Sequence, residues 1–173
     1  MSFDLLRKRY PKVDRTYHFT ERANVPSLKK HGILSLREIH ARGLAAATKF
    51  CSSAESRSID QKRGLDQYVR LCFAHEHPME YRARERGDMV DPVFVHVDVG
   101  VLDLPDVLVA SGVPYQAGVQ IYPLEEAIET LDFEVLFTWM DWHVPEISHR
   151  RQSALKYEIL IPKRVDPGFI LWP

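Results

Sequence analysis

Three residues in separate segments carry types that could act together: a carboxylate, a histidine and an arginine. Glu158 sits inside Ala154-Leu-Lys-Tyr-Glu158-Ile-Leu-Ile-Pro162, an apolar, β-rich run that reads as a strand stopped by Pro162. A carboxylate among apolar neighbours is costly unless it is paired or used. The plainer reading is an edge-strand glutamate facing water, because Asp and Glu are seldom fully buried. His18 has the same look in Tyr17-His18-Phe19-Thr20, a polar group embedded in a short strand. Arg57 lies in Ser56-Arg57-Ser58-Ile59-Asp60. A carboxylate stabilises developing positive charge or takes a proton. An arginine fork suits bidentate anions, and a neutral imidazole offers one donor and one acceptor. Singly, His18 reads as a satisfied core histidine and Arg57 as a surface charge.

Other chemistries have weaker support. Eight histidines raise the question of a metal, and His75-Glu76-His77 with His143 and His149 are the candidates for a metal hydrolase. Their spacing matches no zinc pattern, so surface histidines and no metal are expected. Cys51 and Cys72 form no CxxC pair, and a Cys–His nucleophile pair lacks any local signature. Neither GxGxxG nor a Walker sequence is present.

The 173 residues, 45% hydrophobic and 27% charged, suit a single domain with a real core. The N-terminus lacks the order of a signal peptide and no run approaches a membrane span, so an intracellular, cytoplasmic protein is expected. The two unpatterned cysteines suit a reducing compartment. Net charge is −1, yet residues 1–70 hold 15 Lys+Arg against 7 Asp+Glu, and residues 71–173 hold 8 against 17. A basic first part attracts phosphates locally. Equally, the two parts neutralise each other in the fold.

Elements must position these residues. Residues 1–15 form a basic segment, helical around Phe3, Leu5 and Leu6. Tyr17 to Thr20 is the first strand. Asn24 caps a helix over Val25 to His31, with Pro26 in its first turn and Gly32 as its stop. Ser35-Leu-Arg-Glu38 is a capping box that opens a second helix. Periodicity fails from Gly43 to Gly64, which reads as a long loop, of the kind that is commonly functional or disordered. Tyr68 to Phe73 and Pro92 to Val99 are strands, with a short helix from His77 to about Arg86 between them. A brief strand over Val107 to Ala110 precedes a helix over Pro123 to Leu131. Phe133 to Trp142 reads as helical, residues 143–153 as loop, and Phe169 to Trp172 as a last strand. Short strands and helices without βαβ alternation indicate α+β.

In three blocks, the chain resembles the DarT-type nucleic-acid ADP-ribosyltransferases. The first is Tyr17-His-Phe-Thr20 with Asn24 and Gly32-Ile-Leu. The second is Ser56-Arg57-Ser58-Ile-Asp60, Gly64-Leu-Asp-Gln-Tyr68-Val, Phe73 and His77-Pro78-Met79. The third is the strand holding Glu158, followed by Ile161-Pro162. Together they span roughly residues 16–172. The resemblance implies an ADP-ribosyltransferase-like fold, with two small, mostly antiparallel sheets around an NAD cleft and short flanking helices. It implies Glu158 as the catalytic glutamate, and His18 with Thr20 and Asn24 on the NAD side. Arg57 would orient NAD phosphates or the acceptor base, with Arg63 as the alternative arginine. Lys156 stands where relatives often carry Gln or an acid that helps choose the acceptor, and Cys72 where an aromatic or hydroxylic residue is frequent.

The chemistry fits these types, because cleaving nicotinamide from ribose builds positive charge that a nearby carboxylate stabilises, as in glycoside hydrolysis. The expectation is an NAD-dependent toxin that modifies a nucleobase in single-stranded DNA, opposed by an antitoxin protein. Tyr68 or Tyr115 would stack a base. The alternatives are the same chemistry on RNA, protein or water, and a non-catalytic NAD- or nucleic-acid-binding module.

Overall fold

β-Branched and aromatic runs supply the strands, and capped polar stretches supply the helices between them. The computed structural model describes residues 2–172. In chain order these form α1 (Ser2–Arg9), β1 (Arg15–Glu21), α2 (Val25–His31), β2 (Ile33–Leu34), α3 (Leu36–Ala41) and α4 (Ala54–Lys62). There follow β3 (Tyr68–Cys72), α5 (Pro78–Glu85), β4 (Pro92–Asp98), β5 (Leu108–Ala110), β6 (Ile121–Pro123), α6 (Leu124–Thr130) and α7 (Glu134–Phe137). The chain closes with α8 (Pro145–Ala154), β7 (Glu158–Pro162), β8 (Arg164–Val165) and β9 (Ile170–Leu171).

The α+β class and the antiparallel pairing expected from the sequence are present, in unequal sheets. Seven strands run in the order β6-β5-β7-β3-β1-β4-β9, while β2 and β8 pair separately. All pairings are antiparallel. Gly32 makes the entry to the small sheet possible. Its φ is +78°, and a Cβ there would come 2.0 Å from the Val165 carbonyl oxygen, so a side chain is excluded.

The large sheet is split between two of its central strands. β1 pairs with β4 along its whole length, from Arg15↔Asp98 to Glu21↔Pro92, but it meets β3 at the single pair Tyr17↔Cys72. Beyond that pair the two strands separate, and a wedge opens inside the sheet. The core holds the halves together. Leu71, Val97, Ile159 and Ile161 are buried on the sheet, and Leu6 from α1 and Phe133 from the turn before α7 belong to the same core. At about 25 cal/mol per Å² of apolar area, each such side chain contributes roughly 2 kcal/mol.

Several expectations need correction. Gly43 to Gly64 is not all loop, because α4 starts where the Ser53 hydroxyl accepts the Ser56 N–H at 3.1 Å. Its sequence AESRSIDQK has one large apolar residue and hence no hydrophobic stripe to read. Phe133 to Trp142 is helical for one turn only, Glu134–Phe137, whereas residues 143–153 contain α8, opened by Pro145 in its first turn. Asn24 precedes α2 but makes no side-chain cap bond. Residues 154–157 are helix end and turn, so the strand begins at Glu158 itself. Glu158 is not on an edge: β5 lies on one side of it, through Ala110, and β3 on the other, through Cys72.

Candidate active site

Glu158 is the first residue of β7, on an interior strand, and only 5% exposed. It faces a cleft of about 240 Å³ in the wedge between β1 and β3. Cross-strand register puts Tyr17, Cys72, Glu158 and Ala110 in one row. Two residues along β3, Arg70 lies on the same face as Cys72. Its Nη1 is 3.6 Å from Glu158 Oε2, and its Nη2 is 2.5 Å from Asp60 Oδ1 on α4. Burial pushes the Glu158 carboxyl up to about 7, with Arg70 opposing the shift and Asp60 adding to it. Burial likewise pushes the Cys72 thiol up, with the Glu158 charge adding to it. Cys72 is therefore an unreactive thiol in this setting.

Two histidines flank the carboxylate. His18 Nδ1 lies 3.0 Å from the Arg70 carbonyl oxygen. That oxygen only accepts, so Nδ1 carries the proton and Nε2 presents a lone pair toward the cleft. Desolvation lowers the His18 pKa and keeps the ring neutral. His77 is 3% exposed, caps α5 by accepting the Met79 N–H at Nδ1, and places Nε2 3.6 Å from Glu158 Oε1. Burial pushes its pKa down to about 4.

Asn24 shapes the mouth of the cleft instead of capping α2. Its amide donates to the Lys49 carbonyl at 2.8 Å and to Thr20 Oγ1 at 3.0 Å, and its Oδ1 accepts the Lys49 N–H at 2.9 Å. This pins residues 48–52 over the split. Glu21, 1% exposed, accepts the backbone N–H groups of Val90 and Asp91 and the Lys49 ammonium at 3.0 Å. These contacts hold its carboxyl below the usual range, the Val90 bond foremost. A series of rings leaves the cleft on the β1–β4 side. His77 stacks on Phe19 at 5.5 Å, Phe19 meets Phe94, and Phe94 meets His75 at 4.6 Å. Tyr17 sits edge-on to both His75 and His96.

A buried carboxylate between a guanidinium and an imidazole, in a split antiparallel sheet, is equipped to stabilise a cation. Comparison with known proteins gives that arrangement its context. The sequence profile of the DarT family, described as ssDNA thymidine ADP-ribosyltransferase, matches residues 17–171. The chain belongs to the DarT family. It is 28% identical over 166 residues to a DNA ADP-ribosyl transferase–DNA ADP-ribosyl glycohydrolase fusion protein of Thermosipho africanus, covering 93% of the chain. The match spans only 42% of that relative, less than half its length. The fold is shared with Thermosipho africanus DarTG in complex with ADP-ribose, with a TM-score of 0.69 and 24% identity over 91% of this chain and 42% of that one. It is also shared with Thermus sp. 2.9 DarT in complex with ADP-ribosylated ssDNA, with a TM-score of 0.67 and 15% identity over 93% of this chain and 80% of that one.

Of the residues expected from the DarT resemblance, Glu158, His18, Thr20 and Asn24 converge on the cleft. Arg57 is not part of the cleft lining; its guanidinium lies 4.6 Å from the Phe50 ring and donates to the Ser52 carbonyl, two residues that are, so it braces that wall. Arg63 donates to the Tyr115 carbonyl at 2.7 Å, outside the lining, while Tyr115 itself lines the cleft. Lys156 is exposed in the turn before β7, and Tyr68 opens β3 opposite Pro162, on the face of Arg70 and Cys72 but outside the cleft lining. The arginine beside the glutamate is Arg70, which sequence reasoning missed. Its signal is an arginine at alternate spacing from Cys72 in an apolar strand, the same pattern that distinguishes Glu158. His77 reads from sequence as the opening of a helix, a weak metal candidate and a part of the second DarT-like block, with no role beside Glu158. Among the described residues, no group of three or more His, Cys, Asp or Glu side chains is placed to hold a metal, and no helix is long and apolar enough to cross a membrane.

Proposed function

We propose that residues 1–173 form one NAD-dependent ADP-ribosyltransferase unit that modifies thymidine in single-stranded DNA. The observation that carries this reading is Glu158, a buried carboxylate facing the cleft with an unpartnered Oε2, in a chain of the DarT family. NAD is the substrate. The cleft, at about 240 Å³, is smaller than the ~300–1,000 Å³ of pockets that enclose a whole drug-sized ligand. It suits the nicotinamide–ribose end, with the remainder lying over the mouth formed by residues 48–52. His18 Nε2 and Thr20 supply hydrogen-bonding groups there. Arg57, bracing Phe50 and Ser52, keeps that mouth in shape.

In the reaction the bond between the nicotinamide nitrogen and the ribose C1′ breaks, nicotinamide leaves with the bonding pair, and positive charge develops on the ribose. Ionised Glu158 stabilises that charge in a low-dielectric site, where a fixed charge acts most strongly. The thymine nitrogen then bonds to C1′ and loses its proton, for which Glu158 is the nearest base.

The acceptor strand would lie against the rings that leave the cleft, Phe19, Phe94, His75 and Tyr17, since bases stack on aromatic faces without regard to sequence. Tyr115 lines the cleft; Tyr68, Arg63 and Lys156 lie outside the lining and would meet the strand through its backbone. Such an enzyme acts where DNA is, in the cytoplasm, as a toxin restrained by an antitoxin protein that binds it or reverses the modification.

The test uses purified chain, labelled NAD and a panel of single-stranded DNA and RNA oligonucleotides, with Glu158→Ala as control. Label on DNA that disappears in the variant supports the reading. Nicotinamide release without labelling points to water or protein as acceptor. No consumption of NAD overturns it in favour of a binding module.

A further inference from the structure

Among the described residues two buried side-chain polar atoms have no hydrogen-bond partner, His77 Nε2 and Glu158 Oε2, and both belong to the same site. Buried polar atoms are nearly always paired, so an orphan pair asks for an explanation. The chemistry of His77 is settled by its other nitrogen. Nδ1 accepts the Met79 N–H at 3.2 Å, so it holds no proton, and a neutral ring must carry its proton on Nε2. Protonating Nδ1 would set two N–H groups against each other and break the cap of α5. The Nε2–H group points to Glu158 Oε1 at 3.6 Å, a few tenths of an ångström beyond hydrogen-bond range. The ring has little freedom to turn elsewhere, being packed on Phe19 at 5.5 Å with an interplanar angle of 24°.

We infer that His77 is a positioning residue whose Nε2–H donates to Glu158 and fixes the plane of its carboxylate for the transfer step. Catalytic hydrogen bonds are commonly long in a free enzyme and tighten with substrate bound. Closing 3.6 Å to bonding distance needs a shift of a few tenths of an ångström at Oε1, and Oε2 already lies 3.6 Å from Arg70 Nη1. His77 would then grip one oxygen and Arg70 the other. It cannot serve as the base itself, because its one acceptor nitrogen is committed to the helix cap. The charged and titratable groups facing it are Glu158 from β7, Arg70 from β3 with Asp60 behind it, and Cys72 beside Glu158. The Lys156 backbone favours a proton on the ring without meeting hydrogen-bond geometry.

This inference rests on Glu158 acting in the proposed transfer, and the experiment separates the two. His77→Asn keeps an acceptor near the Nδ1 position, and so the cap, but removes the distal donor. His77→Gln reaches far enough to restore a donor. Expected for His77→Asn is a fall of about 10-fold or more in kcat, the equivalent of one hydrogen bond to a charged group, with KM for NAD little changed. His77→Gln should recover part of that loss, and the pH midpoint of the rate should rise in His77→Asn. In parallel, carboxyl NMR titration of Glu158 in the substrate-free protein should place its midpoint higher in His77→Asn than in the parent. An unchanged kcat and an unchanged Glu158 titration in His77→Asn would overturn the inference. So would equal losses in both variants that follow unfolding temperature alone. Were the parent chain to transfer nothing, the transferase reading would fall, and the titration would still decide the role of His77.

Discussion

Replacing Glu158 with Gln should abolish transfer and at the same time make the protein more stable. The carboxyl is moved from its ordinary value of 4.5 up to about 7, mainly by desolvation. At 1.36 kcal/mol per pH unit, this corresponds to a penalty of up to about 3 kcal/mol for holding the ionised form in the fold. Between pH 4.5 and 7 the native chain keeps a proton that the unfolded chain has released, so stability falls as pH rises through that window. Below it both states are protonated and the penalty disappears; above it the penalty is complete. Gln is neutral throughout and close to Glu in shape. Glu158→Gln should therefore gain up to about 3 kcal/mol at pH 8, roughly 6 to 12 °C in Tm for a chain of this size, and most of that gain should vanish by pH 5. Thermal unfolding of both proteins at pH 5, 6, 7 and 8 gives the answer. A variant less stable than the parent at pH 8, or one whose advantage is the same at pH 5 and pH 8, would refute the claim that desolvation of Glu158 outweighs its pairing with Arg70. The trade fits an active site, where a group is kept in an unfavourable state for its chemistry.

The same contacts set other expectations. Transfer measured in single turnovers should rise with pH as Glu158 ionises, with a midpoint at or below about 7 because the cationic nicotinamide ring favours the carboxylate; a rate that falls across pH 6 to 8 would contradict this. Arg70→Ala leaves Asp60 and Glu158 without their shared cation. It should cost about 1–3 kcal/mol in urea unfolding at pH 8, discounted from a fully buried pair because Arg70 is partly exposed, and should remove most of the transfer activity. Asn24→Ala removes the two hydrogen bonds that hold Lys49, in the segment 48–52, and a third to Thr20. KM for NAD should rise about 5-fold or more with a smaller change in kcat, as expected when the loss is mainly in binding, and an unchanged KM would remove Asn24 from the site. Phe94→Ala and Tyr17→Ala should each weaken binding of a single-stranded oligonucleotide by roughly 1–3 kcal/mol per lost stack without altering NAD hydrolysis in its absence. Fluorescence anisotropy at fixed salt reads this directly.

The parts of the fold that sequence revealed are those with a strong local code. β1, β3, β4 and β7 are β-rich runs, β7 with a clear end at Pro162 and a start four residues later than the run suggests, and Gly32 and Pro26 mark the limits of α2. The parts it concealed lack that code. α4 and α8 are short polar helices opened by a serine cap and a leading proline; α4 carries a single large apolar residue, Ile59, and α8 has almost no apolar periodicity. The burial of Glu158 is a matter of strand order, which places β7 between β5 and β3; nothing local separates an interior glutamate from one on an edge. The site divides in the same way. Glu158, His18 and Thr20 stand out because polar residues in apolar strands are conspicuous. Arg70 has the same signature, but Arg57 is the arginine the resemblance singles out. Which of them lies beside Glu158 depends on α4, which sets Asp60 against Arg70 and Arg57 against Phe50. His77 depends on a long-range approach of the α5 cap to the start of β7, a contact no spacing rule encodes.

Glu158 driving transfer of ADP-ribose from NAD to thymidine in a single strand is the central claim. The most direct measurement is the intact mass of a thymidine-containing single-stranded oligonucleotide after incubation with NAD and the purified chain, beside a thymidine-free strand and Glu158→Gln. The predicted result is a gain of one ADP-ribose on the thymidine strand with the parent protein, and none with the variant or on the thymidine-free strand. An unmodified thymidine strand, or equal modification by the parent and Glu158→Gln, would contradict it.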